Sequence, residues 1–275
     1  MSDPRRTPAN SRVVAAHLPD AAPGAVRVSG APRRIARPVI DLLRVPGGAR
    51  DRQLLFGETV TVYEDRDGWA FVQAERDGYV GYLRTDMLAP ARTATHWVAT
   101  PATHAYAEPD MKSPDLMALS LGSRLTVTGT RGRFAETPDG FVPWVHLREI
   151  GVPMSDPVAV ARLFLGTPYL WGGNSWWGID CSGLVQAAML ACGIPCPGDS
   201  DQQEAELGEL LPPNMPPQRG DLLFWKGHVA FFADADVLLH ANAHHMAVAV
   251  EPLQKAIDRI AGQGDGPVTA HKRLR

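Results

Sequence analysis

The chain has 275 residues, 45% of them hydrophobic and 21% charged, and a formal net charge of −3. That balance lacks the basic footprint that nucleic acid or an anionic membrane surface would select, and the length suits about two domains. No stretch reaches the ~18 uninterrupted apolar residues of a membrane span, and three cysteines cannot all pair, which argues against a disulfide framework.

Residues 1–33 are polar and proline-containing, without an apolar signal core, and read as an irregular N-terminal arm of a cytoplasmic protein. From Ile35 to Pro90 short apolar or alternating runs are punctuated by turn signals. Val60-Thr61-Val62-Tyr63, Trp69-Ala70-Phe71-Val72 and Tyr79-Val80-Gly81-Tyr82 are separated by Asp67-Gly68 and Asp77-Gly78, and two tight hairpin turns are expected there. This is the pattern of a small β-barrel over 34–92. Residues 93–151 repeat it more loosely, with Gly57-Glu58-Thr59-Val60 aligning with Gly122-Ser123-Arg124-Leu125, and Gly81-Tyr82-Leu83 with Pro143-Trp144-Val145.

The chemistry lies further along. Tyr169-Leu170-Trp171-Gly172-Gly173 precedes Ile179-Asp180-Cys181-Ser182-Gly183, and behind the cysteine Leu184, Val185, Ala188 and Met189 recur at helical spacing. Cys181 is therefore expected at a helix N-terminus, where unpaired backbone N–H groups favour the nucleophilic thiolate. A thiol of ordinary pKa also needs a base. Two buried strands joined at Lys226-Gly227 supply one candidate, His228, and a third strand ending in His240 lies twelve residues on, close enough to orient the first ring. A lone Cys or His in an apolar setting is usually only packed; three in this order point to a site. Cys192 and Cys196, spaced C-x3-C without a second ligand pair, are expected to be inert core or loop thiols, and no metal or other cofactor is expected. Residues 253–260 read as an amphipathic helix and 268–274 as a closing strand, while His244, His245 and His271 are assigned to the surface.

These residues resemble the NlpC/P60 cysteine peptidases of papain-like fold, in the order Trp-Gly-Gly, Asp-Cys-Ser-Gly, Gly-Asp-Leu, Gly-His-Val and Leu-His, across roughly Val158 to the C-terminus. The first barrel resembles the SH3 variety attached to bacterial dipeptidyl-peptidases, and the second matches more weakly. The resemblance implies an α+β architecture: a papain-like catalytic domain over 152–275 preceded by two SH3-like barrels. It implies Cys181 as nucleophile, His228 as general base and acid, and His240 as the orienting third residue. It further implies Asp180, Ser182, Asp199 and Ser200 around the substrate's amino end, Tyr169 lining the cysteine site, and Glu58 and Tyr79 contributed by the first barrel. A helix-capping role for Asp199 and Ser200 stands as the alternative.

The implied reaction is hydrolysis of the γ-D-glutamyl bond to a diamino acid in short murein peptides with a free N-terminal L-alanine, with that peptide as partner and neither nucleic acid nor membrane. Two other readings stand beside it: an exported endopeptidase or amidase on intact wall, and a non-catalytic wall-peptide binding protein. One departure is Gly198, where related sequences commonly carry Arg before an Asp-Ser or Asp-Ala step, and a loosened substrate loop is the expected consequence.

Overall fold

The computed structural model describes residues 3–20, 22–264 and 266–274. The chain divides into two compact units, Met1–Ile150 and Gly151–Arg275.

The first unit is built from β-strands. Its larger sheet has seven antiparallel strands in the spatial order Arg50–Leu55, Val39–Leu43, Val80–Arg84, Trp69–Ala74, Thr59–Arg66, Ala31–Ile35, Leu88–Pro90. Alternate residues point inward and form one core of Ile35, Ile40, Leu42, Leu54, Val60, Val72, Tyr79 and Leu83. The expected two-residue turn is found at Asp67-Gly68, where both residues have positive φ and Arg66 faces Trp69. At Asp77-Gly78 the expectation of a second tight turn is corrected. Ala74 N donates to Tyr79 O across a four-residue loop, which is shaped by the Asp77 carboxylate accepting from Tyr79 N at 3.0 Å.

The N-terminal arm, expected to be irregular, carries structure of its own. Val13–Ala15 and Val26–Val28 pair in parallel, and Ala31–Ile35 already belongs to the seven-stranded sheet. Arg12 grips Glu64 through two bonds of 2.6 Å, and Asn10 donates to the Tyr82 hydroxyl at 3.1 Å, so the arm lies on that sheet through polar contacts that short-range patterning does not reveal.

Residues 96–149 form a five-stranded and a three-stranded sheet around Phe56, Val98, Ala105, Leu119, Leu125 and Val142. The succession strand, 3₁₀ turn, strand occurs twice in the unit: Val80–Arg84, Thr85–Met87, Leu88–Pro90, and then Gly140–Pro143, Trp144–His146, Leu147–Glu149. The repeat thus pairs Gly81 with Gly140, three residues from the expected register, because Trp144-Val145 belongs to the turn and not to the strand. Gly57 and Gly122 do correspond, each left-handed ahead of a strand.

Among the described residues, the second unit joins a six-stranded antiparallel sheet to four α-helices: α1 (Pro157–Arg162), α2 (Cys181–Ala191), α3 (Ser200–Glu206) and α4 (Leu253–Gln263). The spatial strand order is Glu209–Leu210, Ala270–Arg273, Leu222–Trp225, His228–Asp234, Val237–Asn242, Ala247–Pro252. The middle strands are buried on both faces, which is why they read as unbroken apolar runs. Ala256 and Ile260 of α4 cover Leu223, Trp225, Ala230, Phe232 and Leu238, and α2 packs on the strands that carry His228 and His240.

Gly57 supplies a test of the first unit. Its φ is 76°, and a β-carbon there would collide with the backbone carbonyl of Arg124, whose own N–H donates to Phe56 O at 2.8 Å. Gly47 has a similar φ of 69° and open space around it. Gly57→Ala is expected to cost about 3 kcal/mol and Gly47→Ala only about 1 kcal/mol, measured by urea unfolding. Equal losses would mean that the Arg124 contact imposes no constraint.

Candidate active site

The nucleophile loop is organised by one carboxylate. Asp180 is the N-cap of α2: its Oδ1 accepts from Gly183 N at 2.6 Å and from the Ser182 hydroxyl at 3.2 Å, and its Oδ2 accepts from Gly172 N at 2.9 Å. Gly172 is left-handed, and Gly183 has no room for a side chain against the Gly173 carbonyl. The Gly-Gly and Cys-Ser-Gly segments are therefore clamped together, with Cys181 as the first residue of the helix and only 6% exposed.

The Cys181 Sγ lies 3.9 Å from the carbonyl oxygen of Gly227, the residue before His228. Gly227 is left-handed in the turn that opens the strand His228–Asp234. The half-buried His228 ring meets the fully buried His240 through Nε2 and Nδ1 at 2.8 Å. Cys181 thus lies beside the turn that carries His228, whose ring in turn meets His240. Burial pushes both rings well below the ordinary histidine range; His240 and Arg259 lower His228 further, whereas at His240 the charge and hydrogen bond of Glu251 offset part of the effect of burial. Both are neutral at pH 7.

Two members of the cluster escaped the sequence reading. His240 Nε2 is 3.2 Å from Glu251 Oε2, and Glu251 is held by Arg259 of α4 through bonds of 3.0 and 2.7 Å. Those hydrogen bonds from Arg259 hold the Glu251 carboxyl well below the usual carboxylate range. A signal was present: Arg259 is in helical phase with the buried Ala256 and Ile260, a position where arginine needs a carboxylate partner.

Tyr169 lies beside the loop, bridged to Ile179 and donating its backbone N–H to Met246 O at 2.9 Å. Burial first, then the proximity of Cys181 and Asp180, pushes its hydroxyl above the ordinary phenol range, so it is a hydrogen-bond donor at neutral pH. Ser182 is buried next to Cys181. Asp199 stands at the N-cap of α3, in a capping box with Gln202, which is the position the alternative reading gave it, whereas Ser200 is the first residue inside that helix and not a cap. The loop that contains Gly198 is tied down by side-chain amides. The amide of fully buried Gln203 donates to Pro197 O and Ser182 O at 2.9 Å each, and Gln186 donates to Cys196 O at 3.1 Å, which ties the loop to α2.

Glu58 and Tyr79 belong to the first unit and are buried there. Glu58 accepts from Leu55 N at 2.9 Å and pairs with the guanidinium of Arg76 at 2.9 Å, and Tyr79 sits in the barrel core. His244 and His245 are exposed. His271 is not a surface residue: it is half-buried against Phe232, with Nε2 2.8 Å from Asp221, which also accepts two bonds from Arg273. The Asp of the Gly-Asp-Leu segment thereby anchors the neighbouring strand. Cys196 is buried and Cys192 half-buried.

The buried histidines set an acid limit on stability. The unfolded chain takes up protons near pH 6.5, whereas folded His228 and His240 resist protonation, so their contribution is complete above that pH and is lost as pH falls. Glu251 has a depressed carboxyl, so its contribution holds above the ordinary value near 4.3 and is lost only below it. The melting temperature is expected to fall between pH 7 and pH 5, and His240→Gln should flatten that slope. An unchanged slope in the variant would show that His240 is not the group responsible.

Comparison with known proteins gives the same picture. The NlpC/P60 family profile matches residues 166–259, and that of the bacterial dipeptidyl-peptidase SH3 domain matches residues 42–88. Dipeptidyl-peptidase 6 of Lysinibacillus sphaericus is 29% identical over 231 residues, 74% of this chain and 84% of that protein. The gamma-D-glutamyl-L-lysine dipeptidyl-peptidase of Bacillus cereus is 26% identical over 248 residues, 77% of this chain and 74% of that protein. The crystal structure of an NlpC/P60 family protein from Bacillus cereus superposes with a TM-score of 0.74 at 20% identity, covering 89% of this chain and 99% of that one. Fold and sequence agree: residues 166–259 are similar to the NlpC/P60 family, and residues 42–88, ahead of them, to the bacterial dipeptidyl-peptidase SH3 domain.

Proposed function

We propose that the chain is a cysteine peptidase that hydrolyses the γ-D-glutamyl bond to a diamino acid in short murein peptides bearing a free N-terminal L-alanine. The observation that carries this reading is the thiol of Cys181 at the start of α2, beside the turn that presents His228, whose ring is bonded in turn to His240. The two relatives named as dipeptidyl-peptidases align over more residues than the second unit contains, so the likeness includes the barrel side of the chain and not only the peptidase side. That extent favours a dipeptidyl-peptidase over a general wall endopeptidase.

In the proposed mechanism the thiol proton passes to His228 Nδ1 as Sγ bonds to the scissile carbonyl carbon. The resulting oxyanion takes a hydrogen bond from the backbone N–H of Cys181 at the helix start. Collapse breaks the C–N bond, and the imidazolium returns its proton to the departing amine of the diamino acid. Water, deprotonated by His228, then cleaves the thioester and frees the thiol. Asp180, Ser182, Asp199 and Ser200 are proposed to receive the amino end of the peptide, and the Tyr169 hydroxyl to donate toward the reacting carbonyl.

The domain reading that goes with this function is an arm over 1–33, an SH3-type barrel over 34–92, a diverged second barrel over 93–151, and the peptidase over 152–275. The repeated strand, 3₁₀ turn and strand, and the paired left-handed glycines Gly57 and Gly122, support the second barrel.

Mass spectrometry of L-Ala-γ-D-Glu-diaminopimelate and of its L-lysine counterpart tests the reaction. Release of L-Ala-D-Glu from either is expected, with at least a 10³-fold loss in Cys181→Ala and little cleavage when the alanine amine is acetylated. Equal cleavage of the acetylated peptide would remove the amine-counting step, and no cleavage of either peptide would remove the activity.

A further inference from the structure

The contact between His228 and His240 is ambiguous by itself. Each neutral imidazole offers one N–H and one lone pair, so the proton shared across the 2.8 Å contact could belong to either ring. The two directions have opposite consequences. If His228 Nε2 donates, its Nδ1 carries a lone pair and can take the thiol proton. If His240 Nδ1 donates, His228 must carry its proton on Nδ1, and a ring in that state cannot act as the base.

Glu251 removes the ambiguity. An ionised carboxylate only accepts, so His240 Nε2, 3.2 Å away, must donate to it. A neutral His240 then has a lone pair at Nδ1, and His228 must donate from Nε2. The carboxylate is held in place and kept ionised by Arg259, whose third contact, Nη1 to Gln263 Oε1 at 2.9 Å, fixes the guanidinium along α4. The strand register places Glu251 opposite Leu238, on the same sheet face as His240 and under α4.

We infer that Glu251, clamped by Arg259, is a positioning residue that sets the direction of the hydrogen-bond chain and so keeps the base nitrogen of His228 unprotonated. Because an arginine neutralises it, the carboxylate acts by orientation and not by net charge. The inference rests on the peptidase reading for its consequence, while the tautomers themselves are independent of that reading.

The decisive measurement is nitrogen NMR of the isotope-labelled histidines at pH 7 in the intact chain, with and without the paired substitution Glu251→Met/Arg259→Met. Removing both partners together leaves no lone buried charge. In the unmodified protein both rings are expected to carry the proton on Nε2. In the double variant His240 loses its acceptor, a buried N–H without a partner is disfavoured, and the His228 proton is expected to move to Nδ1. With the murein tripeptide, kcat should fall about tenfold or more, with KM nearly unchanged. In a His240→Asn background the same pair of substitutions should have little further effect, since the asparagine oxygen can accept from His228 without help from Glu251.

A proton on Nδ1 of His228 in the unmodified protein would overturn the inference, as would a double variant that keeps both tautomers and its kcat. If the unmodified protein cleaves no peptide, the peptidase reading fails while the ring-nitrogen assignment still decides this one. If the double variant does not fold, the assignment in the unmodified protein decides it alone.

Discussion

Asp180 is the point from which the second unit is laid out. Its carboxylate receives backbone N–H groups from two segments that are eleven residues apart in sequence on the scale of Gly172 to Gly183, and so closes the loop that holds Cys181 at the first turn of α2. The glycines are consequences of that closure: one must be left-handed and the other must let the helix start rest on the Gly173 carbonyl. Once the loop is closed, the thiol has one place to be, and the sheet need only bring a histidine to meet it.

The sheet does this by separating two tasks. One strand end carries the His228 ring, proposed to handle the proton, and the neighbouring strand carries the His240 ring that meets it, proposed to aim it. Burial disfavours a positive charge on either ring, so both are neutral at pH 7. The Glu251 and Arg259 pair behind them satisfies the last ring nitrogen without adding net charge to the interior.

Much of this was legible in the sequence because the signals were local. Cys181 stood between a glycine-rich loop and an apolar helical repeat, and His228 followed a two-residue turn signal, so each could be placed on an element before any contact was known. Glu251 and Arg259 were not legible as a pair, because a strand end and a helix face meet only in three dimensions. His271 was misassigned for a related reason: its strand lies between Glu209–Leu210 and Leu222–Trp225, and only there does it meet Asp221. In the first unit the sequence distinguished Asp67-Gly68 poorly from Asp77-Gly78, since the same dipeptide serves a two-residue turn in one place and, with its carboxylate bonded to Tyr79 N, a wider loop in the other.

The placement of the strand Ala270–Arg273 also bears on how the protein is made. The barrel sheet of the first unit grows largely by hairpins between near neighbours, such as Thr59–Arg66 with Trp69–Ala74, and can form soon after those residues are synthesised. The catalytic sheet cannot: Leu222–Trp225 is flanked on one side by a strand that leaves the ribosome some fifty residues later. The sheet behind the thiol therefore cannot be completed until Arg273 has been synthesised, whereas every strand of the barrel sheet is made before Leu222.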